Sequence, residues 1–443
     1  MKKKNIRRIC TYVAGLTLLA GAFTGCGKKT VDYNIETEDY TMATKLGVPD
    51  TVNVAIDTGN AGLNSISIKT DDIELPDATS MSIVYFDKLE MTKEYRQTVV
   101  EYLLDKDAGI YIYDEEGRTA EDLEIQLNFL KLMGDDTDTA SLLEEQIETA
   151  PDSYTEADNY SYYYYTGIVN GERRILRLDD ITGCQYSMYR NLYQALNEYR
   201  SYEGAETACF YEGEETDEFD GENTCSITES QAADKAEDLL EKLGMTGLLE
   251  TETDVIVWEY CDSEYNLIAE EYDGYYFIYK RYIDNIPIYY EDVTNVDNLY
   301  YSDETGSGNL TLPEEWCMIA VDENGILYAN WGGYASLTSE TENDVALLSW
   351  NELIEKMNEN LSEYYEKYPT SYSDITFDKA VLTYFPITDG DGGKFVPTWV
   401  FTQSEGEYNS DETIANITQI VVINAVDGSV IDIPEVAKAF GGY

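Results

Sequence analysis

Apolar positions in this chain recur with two periods, and the changes of period mark the elements. Alternation at Ile66, Ile68, Ile73 and Leu75, with the run 82–86, predicts strands near the start of the ordered chain. Thr92 then opens a helix in which Tyr95, Val99, Tyr102 and Leu103 recur at helical spacing, ending before Gly109. A short strand is expected over 110–113, running into the turn-like 114–117. Thr119 is placed as an N-cap with Asp122 at the capping-box position, ahead of an apolar stripe of Leu123, Leu127, Leu130 and Met133 that Gly134 stops. A third helix is predicted over 139–150, strands after Tyr160 and over 174–178, and a further helix over 189–199.

The second half carries one pattern twice. Thr228-x-x-Gln231 is a capping box before a helix with Ala232, Ala236, Leu239, Leu240 and Leu243 on one face and Gly244 as its stop. Strands follow over 255–260, 274–283 and 316–321, with a tight turn at 322–325. Ser349-x-x-Glu352 opens the second helix, carrying Leu353, Met357, Leu361 and Tyr364, and strands follow over 380–385, 396–402 and 417–425 with a turn at Asp427-Gly428. The fold class expected is α+β: an N-terminal α+β domain over 64–211, then two helix-plus-antiparallel-sheet units over 226–345 and 346–443. Seven acids between Glu212 and Glu222 repel one another beside Gly213 and Gly221, so 212–225 is expected as a linker or exposed loop.

The first residues change where this body is expected to reside. Lys2, Lys3, Lys4, Arg7 and Arg8 precede an apolar run over 12–22, too short for the ~20 residues of a membrane span but suited to a signal peptide. Thr24-Gly25-Cys26 resembles the lipobox of bacterial lipoproteins, although Phe23 stands where a smaller aliphatic residue is usual. The resemblance implies a signal over 1–25, diacylglycerol attachment at Cys26, and a tether over 26–63 with a first strand at 52–56. The expected location is the outer face of the cytoplasmic membrane, with contact to the bilayer through the lipid alone.

Composition narrows the chemistry. Histidine is absent, so nucleophilic mechanisms that depend on an imidazole base and histidine-containing zinc sites are excluded. Five basic residues leave with the leader, so 24 face 87 acidic ones, a net charge of −63 that repels nucleic acid and anionic polymers at long range. Of the seven cysteines, Cys184, Cys209, Cys225, Cys261 and Cys317 follow the anchor, an odd number without CxxC spacing. Cys209 with Cys225 and Cys261 with Cys317 are candidate pairs, and buried unpaired thiols are the alternative. The 40 tyrosines, densest over 160–165, fit half-buried strands better than sugar platforms. Asp389-Gly390-Asp391-Gly392-Gly393 holds too few oxygens for calcium and is expected as a hairpin loop, while Trp331-Gly332-Gly333-Tyr334 is a candidate aromatic ligand platform or a core cap. No catalytic motif, metal site or cofactor is expected.

The stretch Tyr279-x-Arg281-Tyr-Ile-Asp-Asn285-Ile-Pro287-Ile is similar to the strand pair of PepSY-type modules. Leu382-x-Tyr384, Val396-Pro397-x-Trp399 and Ile423-Asn424-Ala425-x-Asp427-Gly428 resemble the repeats of the YycH and YycI extracytoplasmic regulators. With Asp71-Asp72-Ile73-x-Leu75-Pro76 they also resemble uncharacterised lipoproteins of anaerobic Gram-positive bacteria. These resemblances imply a non-enzymatic module that binds an envelope protein, here held by a lipid instead of the regulators' membrane span. The rival expectation is a carbohydrate- or solute-binding lipoprotein using Tyr and Trp platforms.

Overall fold

The structure, a computed structural model, describes residues 41–443 except 60, 114–117, 133–137, 171, 180–182, 189–206, 213–221, 263–266, 291–299, 304–305, 310–311, 371, 404–418 and 441–443. The chain begins with helix α1 (Met42–Leu46), capped by Thr41 and closed by Gly47 in the left-handed region, and strands β1 (Val52–Ile56), β2 (Ser65–Glu74) and β3 (Ile83–Lys88). It then leaves for α2 (Lys93–Leu103), β4 (Ile110–Ile112), α3 (Ala120–Leu132), α4 (Asp138–Ile147), β5 (Tyr164–Val169), β6 (Glu172–Asp179), β7 (Gly183–Met188) and β8 (Thr207–Glu212). The excursion continues through α5 (Glu229–Lys242), β9 (Leu248–Cys261), β10 (Leu267–Ile283), β11 (Ile286–Pro287), the small pair β12 (Tyr300–Asp303) and β13 (Gly306–Asn309), β14 (Trp316–Asp322) and β15 (Gly325–Gly332). It returns with β16 (Ala335–Glu342), α6 (Trp350–Lys367), β17 (Asp374–Asp389), β18 (Gly392–Gln403), β19 (Gln419–Asn424) and α7 (Ile433–Phe440).

The result is an α+β fold with one sheet nested inside another. The outer sheet runs β1-β2-β17-β18-β3-β16, with β19 also on β18. The inserted sheet runs β4-β5-β6-β7-β15-β14-β10-β9-β8, with β11 on β10. Among the described residues β2–β17 is the one strand pair that runs parallel. The excursion leaves and re-enters through neighbours: Lys88 pairs Ala335, and the Leu89 N–H donates to the Tyr334 carbonyl at 2.9 Å. Adjacent exit and entry points are what let one folded unit sit inside another.

The sheets cut across the boundaries expected from sequence. Helix α1 and β1 fall within 26–63, where a tether was expected, although the strand at 52–56 is where the pattern put it. Strand β7, from 64–211, pairs β15 from 226–345, and β16 from that same stretch joins the outer sheet on β3. Local periodicity locates strands, but which strands pair is settled by contacts hundreds of residues apart. Most of the expected linker, 213–221, and the helix expected over 189–199 lie outside the described residues, as does Cys26.

Both long helices begin as their capping boxes dictate. Thr228 and Gln231 satisfy each other's backbone N–H groups at α5, and Ser349 and Glu352 do so at α6. The Thr119–Asp122 exchange is also made, with Thr119 Oγ1 donating to Asp122 Oδ2 at 2.6 Å and accepting from the Asp122 N–H. Helix α6 buries Leu353, Met357 and Leu361 in the outer core, each stabilising by ~2 kcal/mol, and sets Trp350 edge-on to Trp399 at 5.2 Å. Helix α5 buries Ala232, Ala236 and Leu239 in the same cluster as Phe277, Ile319 and Trp331 of the inserted sheet. That sheet is apolar on its other face too, where Ile256, Trp258, Tyr276 and Leu327 form a separate cluster. Among the described residues no helix is long and apolar enough to cross a membrane.

Candidate functional site at the junction of the two sheets

Along β10, Phe277, Tyr279, Arg281 and Ile283 alternate onto one buried face, so a guanidinium stands in an otherwise apolar row. A buried charge is tolerated only when paired and hydrogen-bonded. Arg281 Nε lies 2.6 Å from Oε2 of Glu315, with the two side chains 2% and 1% exposed. Its Nη1 donates to the Thr246 carbonyl and its Nη2 approaches the Ala335 carbonyl at 3.5 Å. The other carboxylate oxygen of Glu315 accepts the N–H groups of Tyr334 and Ala335 at 3.2 and 2.9 Å. One ion pair therefore fastens β10, the segment before β14, the turn after α5 and the strand returning to the outer sheet. Gly247, at φ +80°, closes that turn, and a Cβ there would meet Arg281 Nη1 at 2.9 Å.

Tyr334 carries the fastening into the outer core. Its ring stacks on Phe440 at 5.1 Å and meets Phe86 edge-on at 5.6 Å. Burial, reinforced by the nearby Glu315 carboxylate, pushes its phenol well above the usual tyrosine range. A second crossing lies at the β10–β11 hairpin, whose two-residue turn has Asp284 and Asn285 at φ 51° and 63°, the type I′ geometry. Thr383 Oγ1 donates to the Pro287 carbonyl, and the Tyr289 N–H donates to the Tyr384 carbonyl at 2.8 Å. The chain thus steps from the inserted sheet to the outer one within three residues.

Between these crossings opens a recess walled by Lys280, Tyr282, Pro287, Tyr290, Pro313 and Glu314, with Arg281 and Glu315 also lining it. Lys280 Nζ sits 3.3 Å from Glu314 and 5.6 Å from the centre of the Tyr290 ring. The charges at this mouth are matched in pairs, and the remaining wall is tyrosine, proline and Ile288. The recess is small, about 320 Å³ counting its opening to solvent, and its size suits a single side chain of a partner.

The residues singled out in the sequence are distributed as follows. The PepSY-like stretch is the β10–β11 hairpin itself, so it forms the recess. Leu382, Trp399 and Ile423 of the YycH-like motifs meet in one row across β17, β18 and β19. Trp331 is wholly buried in β15 and Tyr334 is packed in aromatic core, so the candidate platform there is interior packing. Asp389 and Gly392 close the β17–β18 hairpin, as expected of a loop, and among the described residues no cluster of three metal-binding side chains is found. Cys225 and Cys317 are free, which removes both candidate disulfides, and burial pushes the Cys317 thiol up. In the tyrosine run, Tyr165 is buried and accepts the Tyr162 N–H at 3.1 Å, Tyr160 donates to Glu101, and Tyr163 lies under Arg96. The Arg281–Glu315 pair was missed in the sequence. Its signal was an arginine in phase with Phe277, Tyr279 and Ile283.

No protein family profile matches the chain, and no curated protein matches it. One solved structure that aligns with it is that of an uncharacterized protein from Eubacterium rectale, 13% identical over 89% of this chain and 96% of that one, with a TM-score of 0.29.

Proposed function

We propose that this is a protein lipid-anchored at the outer face of the cytoplasmic membrane that works by binding another envelope protein through the junction recess. The observation that carries the reading is the recess itself, a tyrosine- and proline-walled opening bounded by segments that hold the two sheets together. An occupant there would bear on both sheets at once, which is what a regulatory binding module requires. The lipobox-like Thr24-Gly25-Cys26 and the PepSY-like hairpin support the same reading, and the net charge of −63 favours partners with a basic docking face. On this reading the protein performs no chemistry of its own and uses no cofactor.

The test is site-specific photo-crosslinking in intact cells, with the probe replacing Tyr290 at the recess or exposed Glu363 on α6. The expected result is one envelope protein recovered from position 290 and absent from 363, with reduced yield in Cys26→Ala. Identical recoveries from both positions, or none above an unirradiated sample, would overturn the proposal.

A further inference from the structure

The outer sheet ends at β1, β16 and β19, and two of those ends are closed or blunted. Along β19 the Ile431 N–H donates to the Val422 carbonyl at 2.8 Å, so a following segment takes the outward side. Strand β16 shifts register against β3 between Leu337 and Thr341 and carries exposed Glu340 and Glu342. Bulges and outward charges keep a sheet edge from accepting another strand. Strand β1 has neither. Its five residues, Val-Asn-Val-Ala-Ile, include no charge and no proline, and they pair β2 in unbroken register from Val52–Thr70 to Ile56–Ile66. Among the described residues no backbone hydrogen bond reaches Val52–Ile56 from the side away from β2. An edge strand turns alternate N–H and C=O groups outward, so this side offers a row of donors and acceptors.

The pattern of β1 matches its own reverse. Val52 and Ile56 are buried in the outer core and Val54 packs against it half-exposed, whereas Asn53 and Ala55 are exposed. Laid antiparallel on itself about Val54, the strand sets Val52 against Ile56, Val54 against Val54 and Asn53 against Ala55, so the apolar row continues across the contact. The flanking acids fall out of opposition as well, because Asp57 meets Thr51 and Asp50 meets Thr58. An isologous contact demands this self-complementarity. We propose that β1 is the pairing edge for a second copy of this chain, the two outer sheets joining about a twofold axis at Val54 through about four to six backbone hydrogen bonds. A partner recruited by charge would find no charged side chain on β1 to meet. The acidic bodies repel at long range, but salt at physiological strength screens charge beyond about 8 Å and the edge itself is neutral. This surface is separate from the junction recess, and its failure would leave that reading untouched.

The experiment is sedimentation equilibrium of the full-length protein in density-matched detergent, with micelles in excess over protein. A contact between two five-residue strands is small, so a monomer–dimer equilibrium with a dissociation constant on the order of 10–100 µM is expected. Raising NaCl from about 0.05 to 0.5 M should strengthen the dimer, since salt screens the bodies and has no ion pair at the edge to weaken. Two double variants read the register. Asn53→Asp with Ala55→Asp sets acids directly opposite each other and should weaken the dimer about fivefold, whereas Asn53→Asp with Ala55→Lys sets opposite charges there and should tighten it about fivefold. Both positions are exposed on the monomer, so the core is left as it is. Monomer throughout, a dimer that salt weakens, or variants that move the constant together or not at all would each overturn the proposal.

Discussion

Replacing Arg281 by Met would leave the carboxylate of Glu315 buried without its cation. Glu315 is 1% exposed and already accepts two backbone N–H groups, so it cannot turn to water without breaking them. Removing one partner of a buried pair costs ~3–5 kcal/mol, most of it the penalty for the charge left behind. With an m-value of about 3 kcal/mol per molar urea, the unfolding midpoint should fall by about 1–1.7 M. Adding Glu315→Gln removes the stranded charge while keeping an oxygen for the Tyr334 and Ala335 N–H groups, so the double variant should recover about 2 kcal/mol of the loss. Urea unfolding followed by tryptophan fluorescence provides the assay, because Trp258 and Trp331 report on the inserted sheet and Trp350 and Trp399 on the outer core. The single variant should also separate the two sets of signals, since the pair joins the sheets. An Arg281→Met variant within ~1 kcal/mol of wild type, or a double variant no more stable than the single, would refute the reasoning.

Three further outcomes follow from local features. Ser349→Ala should cost ~1 kcal/mol by removing the α6 cap, read as a lower urea midpoint in the Trp350 and Trp399 signals. Asn285→Val should destabilise the β10–β11 hairpin and lower recess-directed crosslinking, because a β-branched residue resists φ 63°, whereas Asn285→Gly should be neutral. Hydrogen bonds from Lys106 and Tyr160 hold the Glu101 carboxyl down at about 2. A depressed carboxyl contributes stability that is present above its unfolded value near 4.3 and is lost as pH falls through about 2. Glu101→Gln should therefore be less stable than wild type at pH 7 and indistinguishable near pH 2, and a constant difference across that range would contradict the assignment.

What could be read from the sequence was what short stretches decide. Thr228 with Gln231 and Ser349 with Glu352 start helices because the donor and acceptor are three residues apart, and Asp389 and Gly392 close a hairpin for the same reason. The nesting was not legible, because nothing in Ile66 or Ile68 names Ile375 and Phe377 as the parallel partners that cover them. The recess was half legible. Its hairpin was singled out as a PepSY-like stretch, but Glu315 belongs to an irregular segment without periodicity, and its role depends on Arg281 lying 34 residues away. For Trp331 the sequence left a ligand platform and a loop residue capping the core both open, because the glycines after it suggested a loop; it is core, but within a strand that Gly332 ends beneath α5.

Nesting also sets a clock on assembly. Ser65 hydrogen-bonds to Asp374 across 309 residues, so β1, β2 and β3 emerge long before the strands that complete their sheet. At a synthesis rate of about 5–20 residues per second, those apolar strands wait roughly 15–60 s, while the inserted sheet, whose strands all lie between residues 110 and 332, can close in the interval. The order of synthesis therefore lets the inserted sheet close first and leaves the first-made strands to be paired last. Any factor that guards Val52 to Lys88 during that wait would govern the yield of protein more than the stability of the finished fold.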